Sequence, residues 1–188
     1  QFGIQGDLQY RNWNTIGDLE QLLVRTGLTY TPKDSGVLLT LGVANITTGN
    51  YGDSNETTNE NRIYQEALLP QKIGNRVYLT HRFRYEQRFV ETQDFRTRYR
   101  YNIFMNIPFN KTELIKNAIY VACYNELFVN GETYIGNNQS VELFDRNRTY
   151  LGLGYVLKPG QRFQFGWMNQ KTVNWGKGQL QLSFHHKF

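Results

Sequence analysis

The sequence predicts an all-β protein, an antiparallel transmembrane β-barrel of about ten strands with short periplasmic turns and longer extracellular loops. Three observations predict it. Apolar and polar residues alternate with a period of two through most of the chain. The links between the alternating stretches are short and long by turns, and the final stretch ends on an aromatic residue, Phe188.

The elements follow in order. Phe2, Ile4, Leu8 and Tyr10 oppose Gln5, Asp7, Gln9 and Arg11, and then Leu22, Val24, Leu28 and Tyr30 oppose Arg25 and Thr29. Val37, Leu39, Leu41 and Val43 mark a third strand. Arg62 to Leu69 marks a fourth, with weaker contrast because Gln65 interrupts its apolar side. From Val77 to Phe89 one face carries Val77, Leu79, His81, Phe83, Tyr85, Gln87 and Phe89, while the other carries Tyr78, Thr80, Arg82, Arg84, Glu86 and Arg88. After a short polar link the pattern resumes, with Phe95, Tyr99, Tyr101, Ile103, Met105 and Ile107 against Arg96, Arg98, Arg100, Asn102 and Asn106. These two stretches read as a long hairpin, apolar and aromatic on one face and mostly cationic on the other.

Four more strands follow. Ile119, Val121, Cys123 and Leu127 oppose Tyr120, Tyr124 and Glu126, and Leu151, Leu153, Tyr155 and Leu157 oppose Arg148, Tyr150, Gly152 and Gly154. Phe163, Phe165 and Trp167 oppose Arg162, Gln164 and Gln170; Leu180, Leu182, Phe184, His186 and Phe188 oppose Gln179, Gln181, Ser183, His185 and Lys187. Only Asn110 to Ala118 suggests a turn of helix.

Short links are expected at "PKDSG", after Ile73 and at "KPGQ"; long polar ones are expected at "NITTGNYGDSNETTNEN" and "NGETYIGNNQSVELFD". Placing the chain end in the periplasm puts the long links outside, as in outer-membrane barrels. The link from Phe109 to Ala118 is longer than that scheme prefers, and "VETQD" is a short external one.

Composition bounds the rest. A chain of 188 residues, 39% hydrophobic and 15% aromatic, suits a single domain spanning 1–188. The net charge of +5 suits an acidic partner such as nucleic acid, lipopolysaccharide or a phospholipid surface. The single cysteine, Cys123, has no intrachain partner, and no Cys/His cluster suggests a metal. A mean hydropathy of −0.59 resembles that of a soluble protein, but barrel strands alternate and so average low. The start Gln1-Phe2-Gly3 carries no signal peptide, which fits either a cytosolic protein or an exported one already processed; with the barrel pattern, a mature outer-membrane chain is the expectation.

The segments "DLQYRNW", "QLLVRTGLTY", "THRFRYEQRF", "FRTRYRYNIFMNIPF", "YNELFVN", "NRTYLGLGY" and "FGWMNQ", in this order, span nearly the whole chain. In them the chain resembles a bacterial outer-membrane β-barrel family catalogued as a domain of unknown function. The resemblance implies a membrane-embedded antiparallel barrel of Gram-negative bacteria and no established activity.

In such a barrel Arg82, Arg84, Glu86, Arg88, Arg96, Arg98, Arg100, Glu126 and Arg148 form a lumen charge cluster. Facing charges in a narrow interior have to be paired or hydrated. A hairpin symmetric about Glu91 and Thr92 sets Glu86 near Arg98, Arg84 near Arg100 and Arg88 near Arg96, so two of three pairs repel. Glu66, Glu126 and Asp7 are the expected compensating carboxylates, with Tyr78, Tyr120, Tyr124 and Tyr150 as hydrogen-bonding partners. Gly152, Gly154 and Gly166 leave room for long side chains or for a water path. A structural or accessory barrel with a filled lumen is favoured, and a narrow anion-preferring, porin-like channel is the alternative.

A barrel-type hydrolase ranks lower. Ser183, His185 and His186 lack a third partner, and the external links contain no histidine, so no catalytic residue, cofactor or metal is expected. His81 and Cys123 fall on the lipid side. Nucleic-acid binding needs Arg and aromatics on one accessible surface, and here they take opposite faces. The expected partners are outer-membrane lipid and lipopolysaccharide, the barrel-assembly machinery through a C-terminal signal at Phe188, and a larger outer-membrane complex in which the chain is a subunit.

Overall fold

The computed structural model describes residues 1–13, 17–52 and 56–188. Ten strands run in chain order: β1 Phe2–Asn12, β2 Leu19–Tyr30, β3 Leu38–Gly49, β4 Thr57–Ile73, β5 Val77–Val90, β6 Arg96–Pro108, β7 Ile119–Asn130, β8 Phe144–Lys158, β9 Gln161–Lys171 and β10 Gly176–His186. They form one ten-stranded sheet in which each strand neighbours its predecessor. This all-β meander is consistent with a β-barrel, and it is the class the alternation predicts. Registers are regular over long stretches, as in Leu8 opposite Val24, Leu28 opposite Leu41 and Leu151 opposite Trp167.

The link lengths differ in places from expectation. β3 and β4 extend into the stretch expected as a long link, leaving only 50–56, of which Asp53, Ser54 and Asn55 lie outside the described residues. Cross-strand bonds from Asn45 to Asn61 (3.0 Å) and from Thr47 to Asn59 (3.0 Å) prolong the pairing with polar side chains, which a hydropathy reading assigns to a loop. Residues 109–118 form bends and a turn with no helix, and β10 stops at His186, two residues short of the expected end. The short turn before β9 uses Gly160 at φ 79°, a conformation that glycine adopts without strain.

Residues 131–143 are a long link, as expected, but an ordered one. Glu132 accepts hydrogen bonds from the Thr97 amide (2.5 Å) and hydroxyl, the Asp94 amide donates to the Ile135 carbonyl (2.9 Å), and the Asn137 amide group donates to Thr92 O (2.9 Å). Ile135 is buried in this loop. An apolar anchor and carboxylate-to-backbone bonds fix a segment whose polar composition suggests a free surface loop.

The chain groups into two compact units. Unit 1 holds Gln1–Ala67, Arg84–Tyr99 and Asn130–Leu143; unit 2 holds Leu68–Phe83, Arg100–Val129 and Phe144–Phe188. Each has its own small apolar cluster. In unit 1 it is Leu23, Ala44, Ile46 and Tyr64, and in unit 2 it is Ala118, Tyr120, Ala122, Tyr150, Val156 and Met168.

Burial alternates along the strands in the sense opposite to a soluble sheet. In unit 1 Leu28 and Leu41 are 65% and 57% exposed, while Arg98, next to the exposed Tyr99, is 3% exposed. In unit 2 Leu151 and Phe165 stand out from the sheet, while Tyr120, Glu126 and Tyr150 are buried.

Candidate functional site

The buried face of unit 1 is built from alternate residues of three strands. β4 supplies Glu60, Arg62, Tyr64 and Glu66, β5 supplies Arg84, Glu86 and Arg88, and β6 supplies Arg96 and Arg98. The period of two puts each set on one face, so a charge at every second position becomes a wall of charge.

The cross-strand arithmetic holds where it was most specific. Arg98 donates to Glu86 through Nη2 (2.6 Å) and Nε (2.9 Å). On the other face the rings of Tyr85 and Tyr99 (5.2 Å) and of Phe89 and Phe95 (5.3 Å) pair in the same register.

The expected repulsions at Arg84 and Arg88 are relieved by β4. Arg84 pairs with Glu66, its Nε donating at 2.7 Å, and stacks over the Tyr64 ring at 4.5 Å. Arg88 donates to Glu60 at 2.5 and 3.0 Å, and Arg62 donates to the same carboxylate at 2.6 and 2.8 Å. Glu86 also lies 3.8 Å from Arg62 and 3.6 Å from Arg84. Glu86 therefore shares the neutralising role with Glu60 and Glu66. Asp7, an expected compensator, instead meets Arg25 at 2.9 Å, because it sits opposite Arg25 across β1 and β2. Among the described residues of unit 1, the buried charges are five arginines (62, 84, 88, 96, 98) and three glutamates (60, 66, 86), an excess of two cations.

Unit 2 holds a second cluster around Glu126. Arg82 Nη2 donates to it at 2.7 Å, and Arg100 donates at 2.8 Å from Nε and 2.5 Å from Nη2. Beside it the buried Phe128 ring lies under three guanidinium groups, those of Arg100 (4.4 Å), Arg148 (4.9 Å) and Arg146 (5.9 Å). Arg148 also donates to Gln170 at 2.6 Å, and Arg82 stacks over Phe104 at 5.0 Å. Guanidinium planes over ring faces gain from the ring quadrupole while their edges serve the carboxylate.

The four tyrosines expected to help divide. Tyr124 donates to Gln181 (3.1 Å) and stacks on Tyr150 (5.0 Å), Gln164 donates to the Tyr120 hydroxyl (3.1 Å), and Tyr78 lies under the Lys72 ammonium (5.1 Å). Two of the three glycines make the expected room for side chains: a Cβ at Gly154 would stand 2.0 Å from the Tyr120 ring, and one at Gly152 would stand 2.3 Å from the Tyr150 hydroxyl, whereas one at Gly166 would meet the backbone of the neighbouring strand, 2.3 Å from the Leu151 carbonyl oxygen.

Sequence reasoning missed Glu60, Arg62 and Phe128. Glu60 fell in the stretch expected as a long link, and Arg62 opened the expected fourth strand without being assigned to the charge cluster. Phe128 sits on the even, inward parity of β7, which was the available signal. Outside the clusters, His81 bonds the Tyr101 hydroxyl through Nδ1 (2.8 Å), and Phe188 is fully exposed beyond β10, its ring 4.9 Å from that of His186.

The chemistry of both clusters is that of fixed paired charge. Each buried glutamate accepts from one or more guanidinium groups, which orients the side chains and leaves a cationic surplus.

No curated protein matches this chain. A family model described as "Protein of unknown function (DUF2490)" matches residues 1–181, and the chain belongs to that family.

Proposed function

We propose that the protein is an integral outer-membrane β-barrel of Gram-negative bacteria that acts as a structural or accessory barrel with a polar, arginine-rich lumen and no catalytic activity. One observation carries this reading: along single strands, buried arginine and glutamate alternate with exposed large apolar residues, as Arg98 and Arg100 do with Tyr99 and Tyr101. In water that arrangement would bury charge at a cost and leave apolar area unburied; in a bilayer the exposed face meets hydrocarbon and the charges meet one another.

Lipid and lipopolysaccharide are the surroundings on this reading. The C-terminal strand engages the assembly machinery, and the barrel serves within a larger outer-membrane complex. Fractionation tests the core of it. The protein should sediment with outer membranes and need detergent for extraction; recovery in a soluble fraction without detergent would sink the proposal.

The cationic surplus favours a second reading, a narrow anion-preferring channel. Planar-bilayer recordings separate the two. Steady anion-selective conductance would establish the channel, and its absence would leave the filled barrel.

A further inference from the structure

The cations divide by type. Those of the buried clusters are all arginine, whereas one edge of unit 2 is lined mainly by lysine. The β4–β5, β6–β7 and β8–β9 links and the segment after β10 all leave the same edge of an antiparallel meander. Contacts tie them together there. The Lys187 amide donates to Gly160 O (2.7 Å), the Asn117 amide to Val156 O (2.8 Å) and Lys72 Nζ to Glu113 (2.9 Å).

This edge carries Arg76, Lys111, Lys116, Lys158 and Lys187, all exposed. Its one link carboxylate, Glu113, is already engaged by Lys72. The neighbouring outward side chains are apolar and aromatic: Tyr155 and Leu157 before Lys158, and His186 and Phe188 on either side of Lys187. Phe163 and Phe184 pair at 4.7 Å on the same end of β9 and β10.

We propose that this basic edge seats on the phosphate groups of anionic phospholipids at one face of the membrane. The proposal rests on the membrane reading above and adds the lipid class. Lysine on exposed links is a hydrated, mobile point charge that suits a fluid layer of phosphates. Arginine's rigid fork suits the fixed carboxylates inside. Aromatic rings beside the cations occupy the level where hydrocarbon meets headgroup. Clustered cations at that level attract anionic lipid, and salt weakens the attraction.

The test uses the full chain reconstituted into phosphatidylcholine vesicles, with spin-labelled phosphatidylglycerol or spin-labelled phosphatidylcholine as the probe of the lipid shell. At low salt the protein should prefer phosphatidylglycerol by about threefold or more, and 0.5 M NaCl, roughly a fourfold shortening of the Debye length from 0.03 M, should remove most of that preference. The variant R76Q/K111Q/K116Q/K158Q/K187Q should lose it, and K171Q/K177Q, changed near the opposite link, should keep it.

Incorporation without preference, or equal preference in the five-fold variant, overturns the lipid inference and leaves the membrane reading standing. Failure to incorporate overturns both. Salt-sensitive retention of the detergent-solubilised protein on immobilised polyglutamate, combined with no lipid preference, would overturn the lipid inference in favour of an acidic polypeptide. Should the five-fold variant fold poorly, the salt dependence and lipid preference of the unaltered protein still decide.

Discussion

Replacing Glu86 by Gln tests the buried network at its most connected carboxylate. Its side chain is 1% exposed and has guanidinium nitrogens at 2.6 Å (Arg98), 3.6 Å (Arg84) and 3.8 Å (Arg62). A unit-charge pair near 4 Å contributes about 4 kcal/mol at an effective dielectric near 20, so three such attractions total roughly 12 kcal/mol before desolvation is counted. Burying the carboxylate offsets most of this. Removing one partner of a buried pair costs about 3–5 kcal/mol, because the remaining charge stays buried without its counter-ion. Glutamine keeps the volume and one acceptor oxygen, so the loss is electrostatic. The control is Glu56→Gln in the exposed β3–β4 link, where a change within about 0.5 kcal/mol is expected. Urea unfolding in detergent micelles, followed by tryptophan fluorescence, should show a clearly lower midpoint for Glu86→Gln alone. Raising NaCl should not restore it, since buried charges are poorly screened. Equal midpoints for the two variants would show that Glu86 does not neutralise a crowded cationic wall, and the inward assignment of β5 and β6 would fall with it.

Phe188→Asp should lower the yield of membrane-inserted protein, read as the heat-modifiable band on gels, and unchanged assembly would remove Phe188 as an assembly signal. Gly154→Val should destabilise by about 1–3 kcal/mol, because its Cβ would stand 2.0 Å from the Tyr120 ring, and Tyr120→Leu in the same chain should recover part of the loss; no recovery would refute the steric account. Phe128→Leu should cost about 2 kcal/mol or more through lost packing and lost guanidinium contact, whereas Leu127→Ala, whose side chain is 38% exposed on the opposite face, should cost less in micelle unfolding.

The ten strands were legible because one side chain in two carries the same instruction along each of them. Val77–Phe89 and Phe95–Ile107 state their faces so often that no single exception obscures them. The Glu86–Arg98 pairing was legible for a related reason, since a short symmetric turn leaves one register. Partners contributed by a third strand were legible only in part: Glu66 and Glu126 were expected as compensating carboxylates and meet Arg84 and Arg100, whereas Glu60 and Arg62 were missed. Glu60 and Arg62 reach Arg88 and Glu86 from β4, and hairpin arithmetic between β5 and β6 contains no term for that strand. Strand extent failed where polarity and pairing part company, because Asn45, Thr47, Asn59 and Asn61 bond one another across β3 and β4 while looking like loop residues. The fixed loop at 131–143 was hidden likewise: the residues that anchor it, Glu132, Ile135 and Asn137, meet Thr97, Asp94 and Thr92 across a gap in sequence, largely through backbone groups that carry no side-chain signal.

Why the buried face should be charged at all is a question of register more than of stability. An apolar interior of equal volume would be at least as stable, since a buried ion pair gains little over well-packed hydrocarbon once desolvation is counted. A strand with apolar side chains on both faces, however, would have no preferred side. Slipping β6 by one residue against β5 would bring Arg96, Arg98 and Arg100 to the face of Phe83, Tyr85 and Phe89 and leave Glu86 opposite a ring. On the proposed membrane reading that slip sets three guanidinium groups in hydrocarbon, at about 2–4 kcal/mol each near the midplane. The buried carboxylates therefore act less as a source of folding energy than as markers that make the slipped pairings expensive. A variant in which both sides of the network are replaced, Glu60, Glu66 and Glu86 by leucine and Arg62, Arg84, Arg88, Arg96 and Arg98 by methionine, would roughly keep volume and lose those markers, and it should show heterogeneous strand pairing in hydrogen exchange before it shows a lower unfolding midpoint.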